Sequence, residues 1–118
     1  MSTLKADTIV ASDGSSPVTL TKQSAAKAWG YSNSGAAPVS SFNVASVTDN
    51  STGNYSFNYT NSMSDANYQV SAAATGGNKV NGTSTTNTSS YVVIFVRDLG
   101  SNTLVDNYAS PAVHGDLA

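Results

Sequence analysis

In residues 54–60, NYSFNYT, the aromatic side chains of Tyr55, Phe57 and Tyr59 alternate with Ser56, Asn58 and Thr60. That spacing gives a β-strand one aromatic face and one polar face. The preceding run at 41–47, SFNVASV, alternates less regularly: Phe42 and Val44 share a face, but Val47 has the opposite parity. A β-bulge or bend at Ala45 and Ser46 reconciles them. Between the two lies TDNSTGN, with Gly53 able to take a positive φ and Asp49 and Asn50 able to bond their own backbone. A hairpin with a loop longer than two residues is predicted. The aromatic face is read as sheet core; an exposed tyrosine platform for carbohydrate is the alternative.

The alternation returns at 66–74 with Tyr68, Val70 and Ala72. Residues 91–97, YVVIFVR, are apolar almost without a break, which predicts a central strand covered on both sides, with Val93 and Phe95 in the core. Residues 103–109, TLVDNYA, predict one further strand and 111–118 a short terminal run. At the other end, 4–10 read as a short strand, 12–17 as a turn cluster around Asp13-Gly14, and 18–21 as a second short run. Residues 22–29, KQSAAKAW, favour helix but are too few to stand alone, so one turn or an extended lead-in to Trp29 is expected. Residues 75–90 form a polar stretch with three glycines, predicted as an exposed mobile loop.

Together these runs predict an all-β fold, a single antiparallel β-sandwich or barrel-like domain over residues 23–118. Trp29, Phe42, Val44, Tyr55, Phe57, Tyr59, Tyr68, Val70, Val93 and Phe95 are its predicted core. Residues 1–22 contain no aromatic residue and only short apolar runs, so they are set apart as a short N-terminal anchoring or strand-exchange segment, ordered by a partner, with a local edge strand packed on its own domain as the alternative.

Composition sharpens this picture. The 118 residues suffice for one domain that removes roughly two-thirds of its unfolded surface from water. Charged residues are only 10%, all seven acids are Asp, and Ser, Thr and Asn must wet the surface. Those residue types disfavour helix interiors, whereas Thr, Val and Tyr suit a pleated sheet. With no cysteine, disulfides and thiolate chemistry are excluded. Five basic residues and a net charge of -2 give no footprint for nucleic acid. No apolar run approaches the roughly 20 residues a membrane-spanning helix needs, so no membrane insertion is expected. The N-terminus lacks the pattern of a signal peptide, and synthesis in a cytoplasm is expected.

Catalytic chemistry is not written in the pattern. His114 is the only histidine and lies near the end of the sequence, where it reads as a terminal or interface residue. The acids Asp49, Asp65, Asp98, Asp106 and Asp116 form no spaced ligand set. TGGNKVNGT carries glycines and a lysine but leads into no helix, so it is not a phosphate cradle. No enzymatic activity, metal or cofactor is expected. The polar loop offers a different chemistry: Asn78, Asn81, Thr83 and Asn87 can exchange hydrogen bonds with sugar hydroxyls and are the candidate recognition residues, with an inert variable loop as the alternative.

Four separated stretches, STLKADTI at 2–9, TKQSAAKAW at 21–29, the run 41–70 and VHGDLA at 113–118, resemble a family of small virion structural proteins of tailed bacteriophages, of the tail-fibre type, from marine and freshwater bacterial viruses. The resemblance implies a non-enzymatic, β-rich virion component made in the host bacterial cytoplasm. It also implies a homotrimer whose partners are itself, other virion proteins and host surface glycans. A capsid decoration (cement) or head-fibre protein is the alternative position on the particle. The family supplies no catalytic residues.

Overall fold

Eight strands form among the described residues: β1 (Ala28–Ser32), β2 (Pro38–Phe42), β3 (Val44–Ser51), β4 (Asn54–Tyr59), β5 (Gln69–Ala73), β6 (Lys79–Thr83), β7 (Tyr91–Asp98) and β8 (Ser110–His114). The structure is a computed structural model that describes residues 2–3, 5–14, 25–73, 77–83 and 87–118. The strands make two antiparallel four-stranded sheets, ordered β2-β1-β8-β5 and β3-β4-β7-β6. The fold is all-β and sandwich-like, with no helix among the described residues and no closed barrel.

The alternation in β4 explains where the core sits. Tyr55, Phe57 and Tyr59 are buried between the sheets with Met63, Val92, Ile94, Val96, Ala109 and Val113. Each fully buried large side chain removes apolar surface worth about 1.5–3 kcal/mol. Val44, Tyr68 and Val70 are partly buried against this cluster. Being buried, Tyr55 and Tyr59 form no exposed carbohydrate platform. The β3–β4 ladder shifts register between Val44 and Ser46, the bulge that lets Val44 and Val47 both pack against the core.

β7 lies between β4 and β6 and is the central strand of its sheet. Its two faces differ. Val92, Ile94 and Val96 enter the core cluster, whereas Val93 and Phe95 have the opposite parity and lie on the outer side of the sheet. Val93 is buried there, but Phe95 is only half-buried and is not a core residue as expected. An unbroken apolar run is the same on both faces and does not itself fix which parity meets the other sheet.

Other expectations are corrected more sharply. Trp29 and Phe42, assigned to the core, are 40% and 54% exposed. Residues 103–109 form no strand beyond single bridges from Leu104 to Arg97 and from Ala109 to Ser32. The strand lies instead at β8, inside the terminal run, paired with both β1 and β5. Pro111 within it lowers the strand signal, since proline is usually confined to edges and strand starts. The segment at 75–90 is no single loop, because 79–83 form β6, hydrogen-bonded along its length to β7. Residues 5–10 form no strand, and Ile9 and Val10 are 60% and 56% exposed, for the segment has no ladder to join. A turn closes at Gly14, whose N–H donates to the Ala11 carbonyl at 2.9 Å. The expected run at 18–21 and the first three residues of 22–29 lie outside the described residues; 25–27 form no helical turn and lead through a bend at Lys27 into β1.

Two corners fix how the sheets join. Asn43, at φ 56°, turns the chain from β2 into β3, and its side chain donates to the carbonyls of Lys27 and Asn61, both at 3.0 Å, while accepting from Asn61 N–H at 2.7 Å. Just beyond Asn61, Met63 bridges Leu117, and the N–H groups of Ser64 and Ala118 donate to the carbonyls of Asp116 and Ser62.

Candidate aromatic binding face

β1 reads AWGYS, and its inward positions are all small: Ala28, Gly30 and Ser32 are buried. The reason is Phe57. A Cβ built on Gly30 would stand 2.8 Å from two ring carbons of Phe57, so the core phenylalanine lies directly on the backbone of β1. A side chain has no room there. Strand alternation then sends Trp29 and Tyr31 to the outer face of the β2-β1-β8-β5 sheet.

Register assembles the rest of that face. Phe42 is opposite Trp29 and Ser40 opposite Tyr31, and directly opposed side chains share a face. Ala112 lies opposite Trp29 on the other flank, and Ser71 continues the row on β5. Tyr108, 39% exposed, stacks on Tyr31 with ring centroids 5.5 Å apart and planes 19° from parallel. At the end of the row His114 Nδ1 is 3.2 Å from Gln69 Oε1. The four strands of this sheet contain no Lys, Arg, Asp or Glu. The result is a strip of rings, exposed at Trp29, Phe42 and Tyr108 and half-buried at Tyr31, on a sheet whose strands carry no charged residue.

No protein-family model, curated protein or solved structure matches this chain.

The four predicted recognition residues are dispersed. Asn78 occupies a left-handed turn at φ 64°, and its carbonyl accepts from Leu99 N–H at 2.9 Å. Asn81 and Thr83 belong to β6 rather than to a loop. Asn81 donates to the Ala73 carbonyl at 2.6 Å, with its Oδ1 buried and unpartnered. Asn87 accepts from Val93 N–H at 3.0 Å. Two of the three amides, those of Asn81 and Asn87, are thus engaged in holding the sandwich. Other hydroxyl and amide groups, those of Ser40, Ser71 and Gln69, lie on the face that carries the aromatic strip, and the small-large alternation in AWGYS is the sequence signal of that face.

The perturbed titratable groups are structural. Burial, reinforced by the Asp106 carboxylate, pushes the Tyr55 hydroxyl up to about 12. That hydroxyl donates toward Asp106 Oδ1 at 3.1 Å, with the Ser34 carbonyl as a second acceptor at 3.2 Å. Tyr59 is also raised, by burial first and then by the neighbouring Tyr68 hydroxyl. Among the described residues no three His, Cys, Asp or Glu side chains converge to hold a metal ion, and no helix is long and apolar enough to cross a membrane.

One carboxylate gives a pH prediction. The Lys79 ammonium, then the N–H groups of Ser101 and Gly100, hold Asp98 down to about 2 from 3.8. A carboxylate with a lowered native value adds stability that is fully present above the unfolded value and disappears as pH falls from about 4 through 2. In Lys79→Met the Asp98 titration midpoint, followed by carbon-13 NMR, is expected to rise toward 3.8. A midpoint that stays near 2 would remove Lys79 from the account.

Proposed function

We propose that this protein is a non-enzymatic structural component of a tailed-bacteriophage particle, a tail-fibre or fibre-tip module. In this reading it is made in the host cytoplasm and assembles as a homotrimer. It is held to neighbouring virion proteins through residues 1–22 and meets host surface glycans with its folded body. The observation that carries the proposal is the contrast between arm and body. Residues 5–14 are exposed except for the partly covered Ala11, with Ile9 and Val10 among them, while from Ala28 onward the chain is knitted into paired sheets. An apolar pair left in water on an extended segment gains by covering itself on another surface. The low charge supports neutral subunit contacts, which lose less on desolvation than unpaired charges do.

The test is deletion of residues 1–20. The shortened chain is expected to keep the circular dichroism of a folded β domain and to be absent from purified particles. An unfolded product, or normal incorporation, overturns the anchoring role. Antibody labelling of virions by electron microscopy reads position directly, and label on the head instead of the tail would assign the protein to capsid decoration.

A further inference from the structure

We propose that the strip formed by Trp29, Phe42, Tyr31 and Tyr108 is a binding platform for a neutral polysaccharide. The inference deepens the reading of this protein as a surface-contacting module, and moves the contact away from the loop at 75–90 to the outer face of the β2-β1-β8-β5 sheet.

Three features select the ligand class. The large apolar groups on the strip are all rings, and a flat ring offers its π-face to the C–H face of a sugar, leaving the sugar's hydroxyls at the edges. Those edges are met by hydroxyl, amide and imidazole groups of Ser40, Ser71, Gln69 and His114, which can donate or accept without bringing a net-charge demand. Nucleic acid bases also stack on aromatic rings, but their phosphates call for a cationic groove. The strands of this sheet supply no cation at all, and only Lys27 stands directly before β1. An acidic polysaccharide is disfavoured on the same ground.

The platform is also formed in advance. Tyr31 and Tyr108 are already stacked nearly parallel, and Trp29 is held outward because the inward side of β1 is filled by the Phe57 ring against Gly30. Little conformational freedom remains to be lost when a ligand arrives. A second copy of the chain is the competing occupant. Its contact would need a broad apolar patch, whereas this strip is bordered by Ser, Gln and Ala positions.

Trp29 is the only tryptophan in the chain, so its fluorescence reports this face alone. Titrating the purified full-length protein with a panel of neutral β-glucan, galactan and mannan is expected to shift the emission saturably with at least one member. The same polymer cast in a native gel is expected to retard the protein. Tyr31→Ala and Phe42→Ser each weaken retardation at least tenfold, while Val80→Ser, at an exposed site on the other sheet, leaves it unchanged. Thermal melting verifies folding, and Tyr108→Ala, outside the strands, replaces any variant that fails to fold. Retardation by none of the panel, by acidic polymers only, or equally for all variants overturns the proposal. So does a parent protein that binds no sugar but changes from oligomer to monomer in light scattering when Phe42 becomes Ser. None of these readouts involves particle incorporation, so the platform and the virion assignment can fail separately.

Discussion

Gly53→Ala is expected to lower stability by roughly 2–5 kcal/mol, the sum of about 1–2 for a left-handed backbone and about 1–3 for forced overpacking. Gly53 has φ +65°, and an added Cβ would lie 2.6 Å from the Val96 carbonyl oxygen and 2.8 Å from both N and O of Val105. All three obstacles are backbone atoms, which cannot rotate out of the way as a side-chain tip can. The same residue donates its N–H to Asp106 Oδ1 at 2.8 Å and accepts from Val96 N–H at 2.8 Å. The turn between β3 and β4 is thereby pinned beneath the crossing from β7 to β8 and is no free tip. For a domain of this size the loss corresponds to a drop in melting midpoint of roughly 10 °C or more. A drop of only a degree or two would show that this crossing moves aside readily.

The second large effect belongs to Phe57 and Gly30, which form one unit. Phe57→Ala empties the centre of the sandwich and is expected to cost about 3–5 kcal/mol. Gly30→Ala drives a methyl into the same ring and is expected to cost about 1–3 kcal/mol. Combined, they should fall short of the sum, because the alanine methyl at position 30 enters space that the ring has vacated. Denaturant unfolding of the two single variants and the double variant gives the coupling, expected at more than about 0.5 kcal/mol in the favourable sense. Strict additivity would mean that the ring does not rest on β1.

These sites also show what a linear reading can and cannot reach. The aromatic alternation of β4 and the apolar run of β7 are local signals, and the structure has strands at both. The outward direction of Trp29 depends on which ring, some 28 positions later, lies against Gly30, and alternation alone is symmetric between faces. Phe42 follows Trp29 because the two are opposed in register, a pairing that neither local sequence contains. Likewise β6 was hidden in a segment rich in Asn, Gly and Thr, since its strand character comes from pairing with β7 rather than from its own propensity. The rings of Tyr31 and Tyr108 stack only after the chain has crossed four times between the sheets.

Lys27 has a mechanical consequence. Its N–H donates to the Val113 carbonyl at 2.7 Å and its own carbonyl accepts from Asn43 Nδ2 at 3.0 Å. It stands at the mouth of β1, an interior strand with β2 on one side and β8 on the other. Tension arriving along the chain from its N-terminal side therefore cannot peel an edge strand one bond at a time. It divides at a single residue, one branch loading the middle of one sheet through β8 and the other loading the Asn43 corner, where both sheets begin. Load entering β1 at Lys27 is thereby shared between the ladder to β8 and the corner that joins the two sheets.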